Sequence, residues 1–230
     1  MSFAAKIDFA GLARTGLTLR SNGQNASNTV LEIPGSDGSI LGDIITGHIK
    51  NPTCGYAING TAQLSGLQLG KVHNTELSAP YALSRLRIST GAGQEPTVEA
   101  DCVQIESGAT RSICVYDVPS QTVTPARHAL TFGAFAYTES TDLVLENSQF
   151  EATANLAPTT VNNEPVASDS TGGVATVQAT FWASSETEPP AVTPTSPWHV
   201  TQDWSCTGAD ASLYSWTATF TNYLSASMAS

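Results

Sequence analysis

The chain is short of positive charge, and the shortage is uneven. Residues 128–230 hold no Lys or Arg, while ten Asp and Glu fall in the same stretch. Over the whole chain nine basic residues face 20 acidic ones, for a net charge of −11. Lys and Arg supply most of the affinity for phosphate backbones, so this balance excludes tight nucleic-acid binding. Long apolar runs are also missing. Lys6, Asp8 and Arg14 interrupt the leading "MSFAAKIDFAGLARTG", which excludes a signal peptide from this stretch, and no segment reaches the roughly 18 apolar residues of a membrane span. The four cysteines, Cys54, Cys102, Cys114 and Cys206, form no C-x-x-C pair and have no metal-ligand spacing. The four histidines are scattered, without H-x-x-x-H, G-x-S-x-G or a Gly-rich phosphate loop. "SDGS" and "ASDSTGG" lack the ligand spacing of a calcium loop. No cofactor, metal or catalytic set is expected, and the chain reads as a non-enzyme.

What is present is β-forming. Charged residues make up only 13% of the chain, and short alternating segments are separated by turns rich in Gly, Asn, Asp and Ser. "YALSRLRIST" puts Leu86 and Ile88 on one face, and "TVEADCVQI" does the same with Val98, Ala100 and Cys102. The fold class expected is all-β: two tandem sandwich- or barrel-like units preceded by an N-terminal arm. The expected boundaries are 1–50 for the arm or strand ribbon, 51–124 for the first unit, 125–140 for a connector, and 141–230 for the second unit. Thr124 as N-cap and Pro125 at the first helical position predict a short helix ending near Gly133. The arm is too short and turn-rich to bury a core alone, so it is expected to pair with a neighbouring subunit or cover an edge.

Duplication is suggested by four matches in one order. "VHNTEL" (72–77) meets "VNNEPV" (161–166), and "GQEP" (93–96) meets "ETEP" (186–189). "VEADCVQ" (98–104) meets "VTQDWSC" (200–206), and "SGATRSI" (107–113) meets "TGADASL" (207–213). If the first of the two repeated turns makes a hairpin centred on Gly108, Cys102 and Cys114 face each other symmetrically. That register would allow a disulfide, although two reduced thiols are the expected state in a cytosolic product.

Individual side chains divide between structure and binding. Glu99 and Asp101 lie two apart on one strand, share a face, and read as solvated acids. Trp182, Trp198, Trp204 and Trp216 all fall in the second unit. Trp216 alternates with Tyr214, Ala218 and Phe220 and is assigned to the core. Trp198, in the Pro-rich "EPPAVTPTSP" region, is the candidate interface residue, together with His128 beside Arg127.

This organisation, over roughly residues 51–224, resembles bacteriophage virion proteins, most closely the tail-tube family, in which small β-sandwich domains ring a channel for DNA. The resemblance implies a structural protein that self-assembles as a trimer or hexamer ring, contacts other virion proteins, and resides in the virion after assembly in the host cytoplasm. It also implies that Glu139, Asp142, Glu146, Glu151, Glu164, Asp169, Glu186 and Glu188 are lumen or surface acids that keep DNA off the wall. Two alternatives come from other classes. A capsid decoration protein would need no channel, and a carbohydrate-binding or adhesin β-sandwich would set its tryptophans in an exposed row.

Overall fold

The structure is a computed structural model that describes residues 7–34, 40–74, 80–91, 94–104, 114–125, 130–138, 142–161, 164–183, 192–200, 205–210 and 213–228. The chain is all-β, with no helix among the described residues. A long hairpin opens it, β1 (Leu17–Pro34) with β2 (Ile40–Ile58). Short strands β3 (Ala62–Leu64), β4 (Gln68–Leu69) and β5 (Val72–Asn74) lead to a second hairpin, β6 (Tyr81–Gly91) with β7 (Thr97–Gln104). Then come β8 (Cys114–Asp117), β9 (Gln121–Val123) and β10 (Phe135–Ala136). A second long hairpin follows, β11 (Leu143–Val161) with β12 (Glu164–Ala183). The chain continues through β13 (Thr193–Pro194), β14 (His199–Val200), β15 (Ser205–Asp210), β16 (Leu213–Tyr223) and β17 (Ala226–Met228).

One antiparallel sheet organises the molecule. Its order is β1-β2-β7-β6-β11-β12-β16-β14, with β15 also on β16 and β5 on β6. Strand order repeats within it: a long hairpin, then the second strand of the next hairpin, then that hairpin's first strand. The four-strand block β1-β2-β7-β6 is followed by β11-β12-β16 with β14 and β15. Irregularities repeat as well. The β1–β2 ladder slips between Leu19 and Ser21, Ser27 and Thr29, and Ile33 and Pro34. The β11–β12 ladder slips between Leu145 and Asn147, Thr153 and Asn155, and Thr159 and Thr160. In each block Phe-Ala stands eight residues before the first strand's Leu: Phe9-Ala10 before Leu17, and Phe135-Ala136 before Leu143.

Period-two alternation turns one face of the sheet inward. Tyr56, Leu86, Ile88, Val98, Ala100, Phe150, Ala152, Val177, Phe181, Ala218 and Phe220 all point to the covered face and are buried. Each large side chain there contributes about 1.5–3 kcal/mol by leaving water. Small sheets β3-β9, β17-β8-β4 and β10-β13, together with the leading residues 7–16, form the cover. Over the second block the cover is aromatic: Phe135 stacks on Phe220 at 4.5 Å between centroids and tilts against Phe181 at 5.7 Å. Over the first block, Phe9 meets the edge of Tyr81 at 5.0 Å.

Several expectations are corrected here. Residues 1–50 are not a separate arm, because β2 runs through the expected boundary and Phe9, Ala10, Leu12 and Leu17 sit in the common core. The connector helix is absent from the residues described: Thr124, Pro125 and Leu130–Gly133 are loop and turn, and Phe132 has a positive φ of 52°. Residues 126–129, the middle of the expected helix, lie outside the described residues, and Phe132 and Phe135 beyond them are buried in the core. Cys102 and Cys114 are free thiols, as expected, but they do not face each other across one hairpin, because β7 lies in the large sheet and β8 pairs with β4 and β17 in another. For the same reason the matched segments do not correspond in the fold: β15 pairs with β16, whereas β7 and β8 do not pair. The "SGATRSI" turn itself lies outside the described residues.

Candidate functional interface: the uncovered sheet face

The other face of the large sheet is polar throughout its centre. Strand alternation places Thr53, Glu99, Asp101, Arg85, Arg87, Ser89, Gln149, Glu151, Thr153, Thr176, Gln178 and Thr180 on it. Ladder register aligns these residues in rows. Gly55, Glu99, Arg87, Glu151 and Thr176 stand opposite one another across β2, β7, β6, β11 and β12. The next row reads Thr53, Asp101, Arg85 and Thr153. Opposite charges directly across a ladder are favourable, so the sheet centre carries its charge as alternating pairs.

Both arginines on this face are matched. Arg85 Nε lies 2.8 Å from Asp101 Oδ2, with each side chain about one-third exposed. Arg87 Nη1 lies 3.9 Å from Glu99 Oε2, and Arg87 Nη2 donates to Gln149 Oε1 at 2.7 Å. Burial pushes the Asp101 carboxyl above its ordinary range against the pull of Arg85, and Glu99 pushes it the same way. Beyond β6 the charge is acidic only. A groove of ≈ 320 Å³ runs between β6 and β11, lined by Arg87, Ser89, Gln94, Glu146, Gln149 and Gln178 among others. A second, of ≈ 260 Å³, lies over Ser21, Gly55, Arg85 and Glu99. Four carboxylates, Glu99, Asp101, Glu146 and Glu151, thus accompany two guanidinium groups.

The expected acids divide into three groups. Glu151 stands on this face and Glu146 lines its groove, while Asp142 is exposed in the turn before β11. Glu164 and Asp169 stand on the β11–β12 hairpin opposite Val161 and Ala157, past the reach of β6 and β16. Glu139, Glu186, Glu188 and His128 lie outside the described residues. Trp198 is corrected from an interface residue to a core residue. It is 6% exposed and meets the edge of Phe150 at 6.4 Å, because its N–H bonds to Thr195 O and fastens the loop onto the cover. Residues that the sequence reading passed over as a pair are Arg85 and Arg87. R-L-R on one strand and E-A-D on the next, each with charges two apart, is the signal that could have found the ladder.

Among the described residues, three further ionisable groups are shifted by burial. Burial lowers the His73 pKa, and its ring Nε2 lies 3.2 Å from Gln68 N and 3.0 Å from Gln68 O, roles that hold a turn. Burial raises the pKa of Cys54 and Cys102, so both thiols stay protonated. Among the described residues no three His, Cys, Asp or Glu side chains are grouped to hold a metal, and no helix is long and apolar enough to cross a membrane. No protein-family model and no curated protein matches the chain.

Proposed function

We propose that the chain is a structural virion protein that assembles into rings, with the uncovered sheet face lining a channel that passes DNA, as a tail-tube subunit does. One observation carries this reading. Where its side chains are described, the large sheet is apolar and buried on one side, while the centre of its other side is polar and both Arg85 and Arg87 there have a carboxylate partner. A phosphate backbone passing over the centre of such a face meets Arg85 and Arg87 already matched, while the apolar Val144 and Trp182 stand opposite each other toward one end of the β11–β12 ladder. Gripping DNA needs Lys and Arg free to replace counterions. Excess carboxylates instead supply a weak repulsion, screened over about 8 Å at physiological salt and summed around a ring. Neutral Thr, Gln and Asn on β11, β12 and β16 keep the rest of the wall hydrated without adding charge.

The sugar-binding alternative requires an exposed aromatic row, whereas Trp198 and Trp216 are buried and Trp182 is half-buried on the uncovered face; Trp204 lies outside the described residues. Sedimentation and negative-stain microscopy of the purified protein test the proposal. Rings with a central channel, alone or stacked, are expected. Compact oligomers without a channel would favour a capsid decoration protein, and a monomer at every concentration would remove the ring reading.

A further inference from the structure

Among the described residues the large sheet ends in two edges, β1 and β15, that pair on one side only, and the fold contains a template for joining them. Every pairing along β1-β2-β7-β6-β11-β12-β16-β15 is antiparallel, and the path has an even number of strands. Its first and last strands therefore run in opposite directions. When copies are related by rotation about an axis along the strands, β1 of one copy meets β15 of the next antiparallel, and the alternation continues unbroken. Among the described residues β1 pairs only with β2, and Ser21–Asn25 of β1 are all exposed, with polar side chains at every position but Gly23. An edge of that kind is a ready acceptor for another strand.

The repeated strand order supplies the register. Within one chain the first block joins the second where β6 pairs with β11, with Arg87 opposite Glu151, Ser89 opposite Gln149, and Gly91 opposite Asn147. The bulges align β11 with β1, so that Asn147, Gln149 and Glu151 correspond to Ser21, Gly23 and Asn25. Following the ladders from β2 to β7 to β6, and from β12 to β16 to β15, aligns Arg87, Ile88 and Ser89 with Ser205, Cys206 and Thr207. Resting on the ring reading above, we infer that copies of this chain join edge to edge by β1–β15 pairing in the register of the internal β6–β11 junction: Asn25 opposite Ser205, Gln24 opposite Cys206, and Gly23 opposite Thr207. Parity agrees with the faces. Gln24 points to the covered side, where its Nε2 lies 3.2 Å from the Tyr81 hydroxyl, and Cys206 stands opposite the buried Trp216.

The partner is thus a second copy, and the contact differs in chemistry from the internal one. Where Arg87 meets Glu151 inside the chain, Asn25 meets Ser205 between copies, and the same register carried to the end of β15 brings Arg20 to Asp210.

Cysteine pairs read the register directly. In full-length protein with Cys114 and Cys206 changed to Ser, Asn25→Cys with Ser205→Cys is oxidised mildly and run on a non-reducing gel. Gly23→Cys with Thr207→Cys is a second pair in the same register, and Ser89→Cys with Gln149→Cys is an internal control for the template junction. Covalent oligomers up to the ring mass are expected from both intermolecular pairs. They should form at least about tenfold faster than from Asn25→Cys with Thr207→Cys, because a two-residue slip separates the thiols by about 7 Å, beyond disulfide reach. If the slipped pair links as fast, the register is wrong. If particles sediment as rings and the internal control closes, yet neither intermolecular pair links, the edge pairing is wrong while the ring reading stands. A chain that sediments as a monomer at all concentrations overturns both.

Discussion

Asp8→Ala tests how the leading residues are fastened over the first block. The Asp8 carboxylate accepts backbone N–H bonds from Gly11 at 2.9 Å, Leu12 at 3.3 Å and Ala13 at 2.7 Å, and its Oδ1 also accepts the Tyr56 hydroxyl proton. Tyr56 is 2% exposed, and burial followed by the Asp8 bond raises its pKa. Removing the carboxylate strands the Tyr56 hydroxyl, which costs about 1–3 kcal/mol. Releasing the three N–H groups adds about 1 kcal/mol, the worth of a helix cap. The sum, about 2–4 kcal/mol, corresponds to a fall of roughly 5–15 °C in Tm for a chain of this length. Tyr56→Phe removes the stranded group and should recover part of the loss in the double variant. Thermal unfolding by circular dichroism gives the stability. Thiol labelling reports the local event, because Cys54 Sγ lies 3.9 Å from Ile7 O under this segment and is buried. A D8A chain that melts within about 2 °C of the parent, with Cys54 still protected, would refute the idea that one carboxylate holds the cover down.

Gly173→Ala should destabilise by about 1–3 kcal/mol, as overpacking does, because a Cβ there would lie 2.2 Å from Tyr116 Cδ1; Tyr116→Ala should restore most of it in a thermal melt. Phe150→Ala should cost about 3–5 kcal/mol in urea unfolding, since the ring is fully buried against Phe132 and Trp198. Burial holds the His73 pKa below 6.5, so the folded chain binds fewer protons than the unfolded one; its contribution to stability is complete above about pH 6.5 and declines as pH falls from there toward the lowered folded value. His73→Gln should flatten that part of the stability–pH curve, and an unchanged slope would assign it elsewhere. Glu99→Gln with Glu151→Gln leaves Arg87 without a carboxylate across either neighbouring strand, so assembled particles should retain DNA at low salt and release it at high salt, whereas the parent retains none.

Strand chemistry was legible in the sequence wherever burial was one-sided. Leu86 with Ile88, Val98 with Ala100 and Cys102, and Trp216 with Ala218 and Phe220 alternate as period two requires, and all are buried. Pairing was not legible, because it depends on residues distant in sequence. "SGATRSI" and "TGADASL" look alike as turns, yet one connects strands in different sheets and the other closes a hairpin. The informative likeness was weaker to the eye: "FAGLARTGLTL" at 9–19 against "FAYTESTDLVL" at 135–145, each an aromatic cover residue leading into a bulged edge of a long hairpin. At the candidate interface, Glu99 and Asp101 were recognisable as neighbours on a face. Their matching to Arg87 and Arg85 required the β6–β7 register.

A cryo-EM reconstruction of the assembled protein tests the proposed channel most directly. Closed rings are expected, with Glu99, Glu151, Thr176 and Gln178 facing an open lumen and the covers formed by residues 7–16 and 130–137 on the outside. A particle in which that face is packed against protein, or turned to the exterior, would contradict it.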